Sequence, residues 1–486
     1  MGVIAPARRY AVLIGASAAL TALVPANCTA SVWAAPQTLG PTSQAPGGPR
    51  LAGDSKGHAI LVWQTPGDSL RYAIAPAGRG FGPSRRLSRS GGDASPVVTM
   101  DSRGDAIVAW TYNDRAVELE PESRGGGTAC CDHVRVALIR ADGTVRRSET
   151  LTPPDTSAKV ISTAISEDGS AISVLYTRAS ITHETGEASL APARLLVASA
   201  SSSGPFGRAV ILGPPTTAES LPAVVRAQAH QVSVIYCTFA SPPPHSELPT
   251  TTFHESVLSL SGRSLHAMVL GRRGNAALAG SHGGLDPSFD RRGELAVLME
   301  TAPELSEPRR RHPRRPELVV ATIQPGSPLH SQAVRAIPRP VAGRSFYSPT
   351  LAVAPSGRAL LAWSAGYEDD RIGVATGRLP DASFRAAAVL KPLLPNRAVQ
   401  SIALAVNDAG EAVLALVASG SEGQETHLAV ITRTSSGSLA APVNLAKFGE
   451  YESFDEPQAV IDARGRGVVV WLGEGGLLQA RRFQIR

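Results

Sequence analysis

The chain reads as an all-β protein, a β-propeller of eight four-stranded blades. Three observations lead there: a recurring Asp-x-x-Gly turn, an apolar run leaving each turn, and two further short runs completing each unit. Of 486 residues, 43% are hydrophobic and 18% charged, too apolar a composition for a disordered chain. The 46 Gly and 38 Pro fall as punctuation between short apolar runs, the spacing of strands joined by tight turns rather than of helices.

Aligned on a Gly with Trp or a large apolar residue six positions later, the chain contains eight units. Gly57 with Trp63 (DSKGHAILVW), Gly104 with Trp110 (DSRGDAIVAW), Gly357 with Trp363 (APSGRALLAW) and Gly465 with Trp471 (DARGRGVVVW) are sharp copies. Gly169 with Leu175, Gly293 with Met299 and Gly410 with Leu416 are weaker, and in the fourth unit His230 takes the Gly place before Tyr236. The steps are 47, 65, 61, 63, 64, 53 and 55 residues, a period that marks a repeat architecture.

A run such as SPVVTM or PTLAVA enters each turn. Asp54, Asp101, Asp290, Asp462 or Asn407 stands three residues before the anchor Gly, where a side-chain oxygen accepts turn amides and the Gly supplies a positive φ. The exit runs, such as AIVAW, are continuously apolar, so that strand is predicted to be buried on both faces. A third run (LRYAIAPA, VRVALIRA) and a fourth (FGPSRRLS, VRRSETLT) follow. Four strands with doubly buried inner members describe a propeller blade packed between neighbours. The last unit stops after its third strand, and VWAAPQTLG near the N-terminus has the outer-strand pattern. That segment is predicted to complete the last blade and remove two sheet edges. Seven blades is the alternative if the degenerate fourth unit is discounted.

Arg8 and Arg9, the apolar run of residues 11–24 and the small-residue stretch PANCTAS are the parts of a secretory signal peptide. Residues 1–30 are therefore expected to be removed and 31–486 to form a single propeller domain, secreted or held at the cell envelope. Loss of Arg8 and Arg9 lowers the formal charge from +6 to +4, which gives no nucleic-acid footprint. No transmembrane span is expected in the mature chain, which should be a monomer. Cys130, Cys131 and Cys237 would remain after cleavage, too few for a disulfide scaffold.

The pattern P-x-V-x-x-D-x-x-G-x-A-x-V-x-W resembles the repeats of secreted bacterial β-propeller proteins and is distantly similar to NHL-type blades. The resemblance spans nearly the whole mature chain and implies the fold alone, since propellers host enzymes, lectins and binding platforms alike.

Units two to five carry extra residues between their second and third strands, at 111–133, 178–193, 238–255 and 300–316. Long loops gathered on one face of a rigid scaffold are where recognition is expected. That face collects His133, His183, His245, His254 and His312, joined by His282, with Asp132, Glu184 and Glu255 beside them. The densest cluster is Cys130, Cys131, Asp132 and His133, although adjacent ligands suit one tetrahedral ion poorly, so a metal is left open. An alternative reading of the two cysteines is a vicinal disulfide, in which respect the chain resembles pyrroloquinoline-quinone dehydrogenases. Those enzymes, however, carry their Trp motif on an outer strand and a longer chain. Cys237, in VSVIYCTF, reads as a small core residue.

Glu118, Glu120 and Glu122 form an acidic cluster. Arg309, Arg310, Arg311, Arg314 and Arg315, interrupted by His312 and Pro313, suit anions. The turn is similar to the Asp-box of sialidases, but its Trp falls three positions further on. No nucleophile elbow, phosphate loop or zinc-protease helix signature occurs. The expected function is a secreted, non-enzymatic platform with no cofactor, binding an extracellular protein or glycan through Cys130, Cys131, Asp132, His133, His183, His254, Arg309, Arg310, Arg311 and His312. The alternative is a glycan-active hydrolase or lyase, or a quinone- or metal-dependent oxidoreductase.

Overall fold

The computed structural model describes residues 31–43, 48–67, 69–88, 93–113, 132–153, 156–182, 189–190, 192–216, 222–240, 250–273, 276–278, 289–301, 317–327, 330–333, 347–364, 371–381, 383–390, 398–419, 425–449 and 457–486. These residues are all-β and form eight antiparallel sheets, the consistent picture of a propeller-like fold. The first sheet comprises Arg50–Gly53, Ala59–Gln64, Leu70–Ala75 and Arg85–Arg86, and the second Asp93–Met100, Ala106–Asn113, Asp132–Ile139 and Val145–Thr150. Thr156–Ile165, Ala171–Thr182, Ala193–Ser201 and Val210–Thr216 make the third, and Ala223–Ala227, Gln231–Ala240, Thr250–Ser259 and Ser264–Arg273 the fourth. The fifth, sixth and seventh open with Ala276–Leu278, Tyr347–Val353 and Ala398–Val406. The eighth contains Gln458–Ile461, Arg466–Leu472 and Leu477–Gln484.

Continuous apolar runs did mean double burial. Every residue of AILVWQ is buried, and alternate side chains go to opposite neighbours. Ala59, Leu61 and Trp63 join a cluster with the eighth sheet, while Ile60 and Val62 join one with the second. Six more clusters join each remaining pair of sheets consecutive in the chain. Each fully buried Leu, Ile or Val contributes roughly 1.5–3 kcal/mol, so the sheets are held chiefly through these faces.

The N-terminal strand pairs with the C-terminal one, in two pieces: Val32–Trp33 and Gln37–Pro41 both lie on Leu477–Gln484, with Val32 opposite Gln484 and Gln37 opposite Ala480. At most junctions the first strands of neighbouring sheets touch one another, Arg50–Gly53 meeting both Asp93–Met100 and Gln458–Ile461. Thr99 donates across such a junction to the Thr163 carbonyl at 2.8 Å, and Thr350 to that of Ile402 at 3.0 Å.

The turns follow the sequence reading closely. Asp462 Oδ1 accepts the amides of Arg464 (2.8 Å) and Arg466 (2.9 Å), and Asn407 Oδ1 those of Ala409 (3.1 Å) and Glu411 (3.0 Å). The sixth unit has Ala354 in place of the Asp. There Asp408 of the next sheet takes the Ser356 amide at 2.7 Å. The anchor glycines are required twice over, by positive φ and by close approach of the preceding turn. A Cβ on Gly57 (φ +95°) would stand 2.6 Å from Asp462 Oδ2, and one on Gly169 (φ +63°) 2.1 Å from Asp101 Oδ2.

Three expectations need correction. The fourth turn is tighter than the other seven, closing through the Gln228 amide on the Gln231 carbonyl (2.8 Å), so His230 does not occupy a Gly place. The outer run FGPSRRLS pairs only over Arg85–Arg86. Strands two and three of the fourth sheet extend to Ala240 and from Thr250, so His254 and Glu255 lie on a strand, not in a loop.

Candidate functional site

Strand topology fixes two faces. The turns between first and second strands lie at one end of every sheet, and the connections between second and third strands leave the other end. In sheets two to five those connections depart after Asn113, Thr182, Ala240 and Thr301 and return at Asp132, Ala193, Thr250 and Glu317, the one from Thr182 to Ala193 interrupted by the short strand Ser189–Leu190. Cys130, Cys131, His183, Arg309, Arg310, Arg311 and His312 lie outside the described residues, as do His245, His282, Glu184 and the Glu118 cluster. Of the expected binding residues, Asp132, His133 and His254 are described.

Asp132 opens a strand opposite Asn113, whose Nδ2 donates to its Oδ1 at 3.0 Å. Burial raises its carboxyl above the usual range, partly offset by Asn113, Lys159 and His133. His133, the next residue, is buried, and its Nδ1 lies 3.4 Å from the Thr152 hydroxyl, which also accepts the Val134 amide at 3.1 Å. Successive strand residues face opposite ways, so Asp132 and His133 do not converge on one ion.

His254, two sheets away, stacks on Tyr236 with centroids 4.9 Å apart, and its Nε2 meets the Thr238 hydroxyl at 2.8 Å. Burial, with Arg272 nearby, lowers its pKa. Glu255 faces the other way and ties two sheets together, accepting from Ser233 Oγ and from the Gly326 amide, each at 3.0 Å. Cys237 is fully buried and burial pushes its thiol up, as its reading as a core residue requires. Among the described residues no group of three or more His, Cys, Asp or Glu side chains is placed to hold a metal.

The opposite, turn-bearing face carries a feature that sequence reasoning missed. A crevice of 280 Å³ opens between the first and eighth sheets. Val460 and Val468 of the eighth sheet and Ala59, Ala75 and Phe81 of the first line it, and Val32, Trp33 and Ala34 of the N-terminal strand add to its wall. Both of its carboxylates are engaged. Asp54 Oδ1 accepts the Lys56 (2.9 Å) and His58 (2.8 Å) amides, and its Oδ2 meets His58 Nδ1 at 2.7 Å. Asp462 Oδ2 accepts Arg466 Nε at 2.8 Å. Arg79 and Arg482 also line it, both exposed, and Arg482 Nη1 donates to the Gly78 carbonyl at 2.8 Å. One sequence signal existed. Where most units have Ala two residues after the anchor, the last has Gly467, and a Cβ there would lie 2.2 Å from the Val460 carbonyl oxygen and 2.4 Å from Phe483 Cζ.

No protein-family model matches this chain, and no curated protein matches it in sequence. Solved structures are similar to it only at a low level. A lectin from Burkholderia pseudomallei is 12% identical with a TM-score of 0.45, the match covering 82% of this chain and 99% of the lectin. A polysaccharide lyase is 8% identical, 91% of each chain being covered, with a TM-score of 0.45. A puromycin-hydrolyzing peptidase of Mycobacterium tuberculosis is 12% identical with a TM-score of 0.43, the match covering 90% of this chain and 58% of that protein. At such scores the likeness says nothing of what this chain binds.

Proposed function

We propose that the chain is an exported propeller of eight blades, closed by its N-terminal strand, that serves as a non-enzymatic platform for an extracellular protein or glycan. The observation that carries the binding role is the clustering of long connections. Four consecutive sheets send their second-to-third connections out at the same end, from strands whose doubly buried faces make a rigid base. Closure is supported by the cyclic series of buried clusters, the last of which joins the eighth sheet to the first. Export rests on the composition of residues 1–30, with cleavage after Ala30 leaving the pairing strand at Val32 intact.

The test is glycan arrays and pull-downs from extracellular fractions, run beside a variant with Arg309, Arg310 and Arg311 replaced by Ser. A saturable ligand lost in that variant supports the reading. Turnover of a glycan substrate by the purified protein, or retention of the uncleaved chain inside the cell, would overturn it.

A further inference from the structure

We propose that the crevice between the first and eighth sheets binds a small carboxylate carried on an apolar body. This site is on the face opposite the long connections, and the inference does not depend on what those connections bind.

Size comes first. An apolar cavity of roughly 150 Å³ admits benzene, so 280 Å³ has room for a ring or branched chain with its acid group. Next is the floor. Ala59, Ala75, Phe81, Val460 and Val468 offer no polar side-chain atom, so a hydroxyl-rich sugar or a hydrated phosphate would lose its water contacts without replacement there. An apolar body loses nothing by entering.

The rim decides the charge. Asp54 is engaged by His58 and two turn amides, and Asp462 by Arg466 and two turn amides, so neither acid repels an incoming anion with a free oxygen. Two exposed guanidinium groups remain in the lining, those of Arg79 and Arg482. Arg482 uses one N–H on the Gly78 carbonyl, and the Arg79 side chain has no partner among the described residues. A planar guanidinium in an otherwise apolar lining matches a carboxylate, which it can hold through two parallel hydrogen bonds. Trp33 forms part of the wall, so a bound ligand would also brace the strand that joins the chain ends.

Sodium phenylacetate, titrated calorimetrically into the full exported chain, is the probe, with phenylacetamide as its uncharged isostere. Phenylacetate should bind saturably and raise the thermal midpoint, and the amide should bind about tenfold more weakly, the usual worth of a hydrogen-bonded charge. Arg79→Gln should lower phenylacetate affinity by a similar factor while leaving the unliganded midpoint unchanged, because its side chain is exposed and has no partner among the described residues. Arg482→Gln provides an independent second variant. Equal affinity for acid and amide, no saturable binding, or unchanged affinity in both variants would overturn the proposal.

Discussion

One oxygen of the first turn residue must accept two amides, and its chemistry is visible in the variants the chain itself contains. Asp54, Asp101 and Asp462 do this with a carboxylate and Asn407 with a neutral amide oxygen. The carboxylate charge is therefore dispensable to the turn, and at Asp101 it is a liability, since burial raises its pKa despite the amides of Arg103 and Asp105 and the Arg103 side chain. A folded-state pKa above the unfolded one contributes stability at low pH that is lost as pH rises through the folded value. Asp101→Asn should therefore leave neutral-pH stability unchanged or slightly higher and flatten its pH dependence in the acid range. Asp101→Ala should cost about 1–2 kcal/mol through two unsatisfied amides. Urea unfolding of the three proteins between pH 4 and 7 checks this, and an Asn variant as unstable as the Ala variant would contradict it.

Strands were legible where burial dictates composition and obscure where it does not. AILVWQ and AIVAWTYN announce themselves because both faces are packed. TTTFHE offers no apolar run in the sequence, yet Thr pairs well in strands, and here the stretch alternates partly and fully buried positions. The two-residue strand Arg85–Arg86 is exposed and carries no apolar signature at all. Of the candidate site residues, the three that are described do not converge, since Asp132 and His133 lie on opposite faces of one strand and His254 is packed against Tyr236. Between elements, single side chains tie first strands together. Gln458 accepts the Leu51 amide at 2.6 Å and donates to the Pro49 carbonyl at 2.7 Å, linking the last sheet to the first. Gln458→Ala should lower stability by about 1–3 kcal/mol, and Gln458→Glu, which keeps the acceptor but loses the donor, by less. Thermal unfolding that ranks the Glu variant below the Ala variant would contradict the bridging role.

At the scale of the whole molecule, the period, the turn residues and the unit that stops short together made both the propeller-like set of antiparallel sheets and the pairing of the two chain ends readable. The crevice was not, because it is assembled by residues such as Ala75 and Val468, adjacent only once the ends have met. Everything placed there, and the removal of two exposed sheet edges, depends on the N-terminal strand occupying its position on Leu477–Gln484. Thr38 and Gln479 face one another in that register, with Gln479 Nε2 donating to Thr38 Oγ1 at 3.1 Å. The most direct measurement is oxidation of a Thr38→Cys, Gln479→Cys double variant under native conditions, followed by peptide mapping. A closed ring predicts a near-complete disulfide between the N-terminal and C-terminal peptides and a raised thermal midpoint, because the bond closes a very long loop. Two thiols that stay open to labelling in the folded protein would contradict closure.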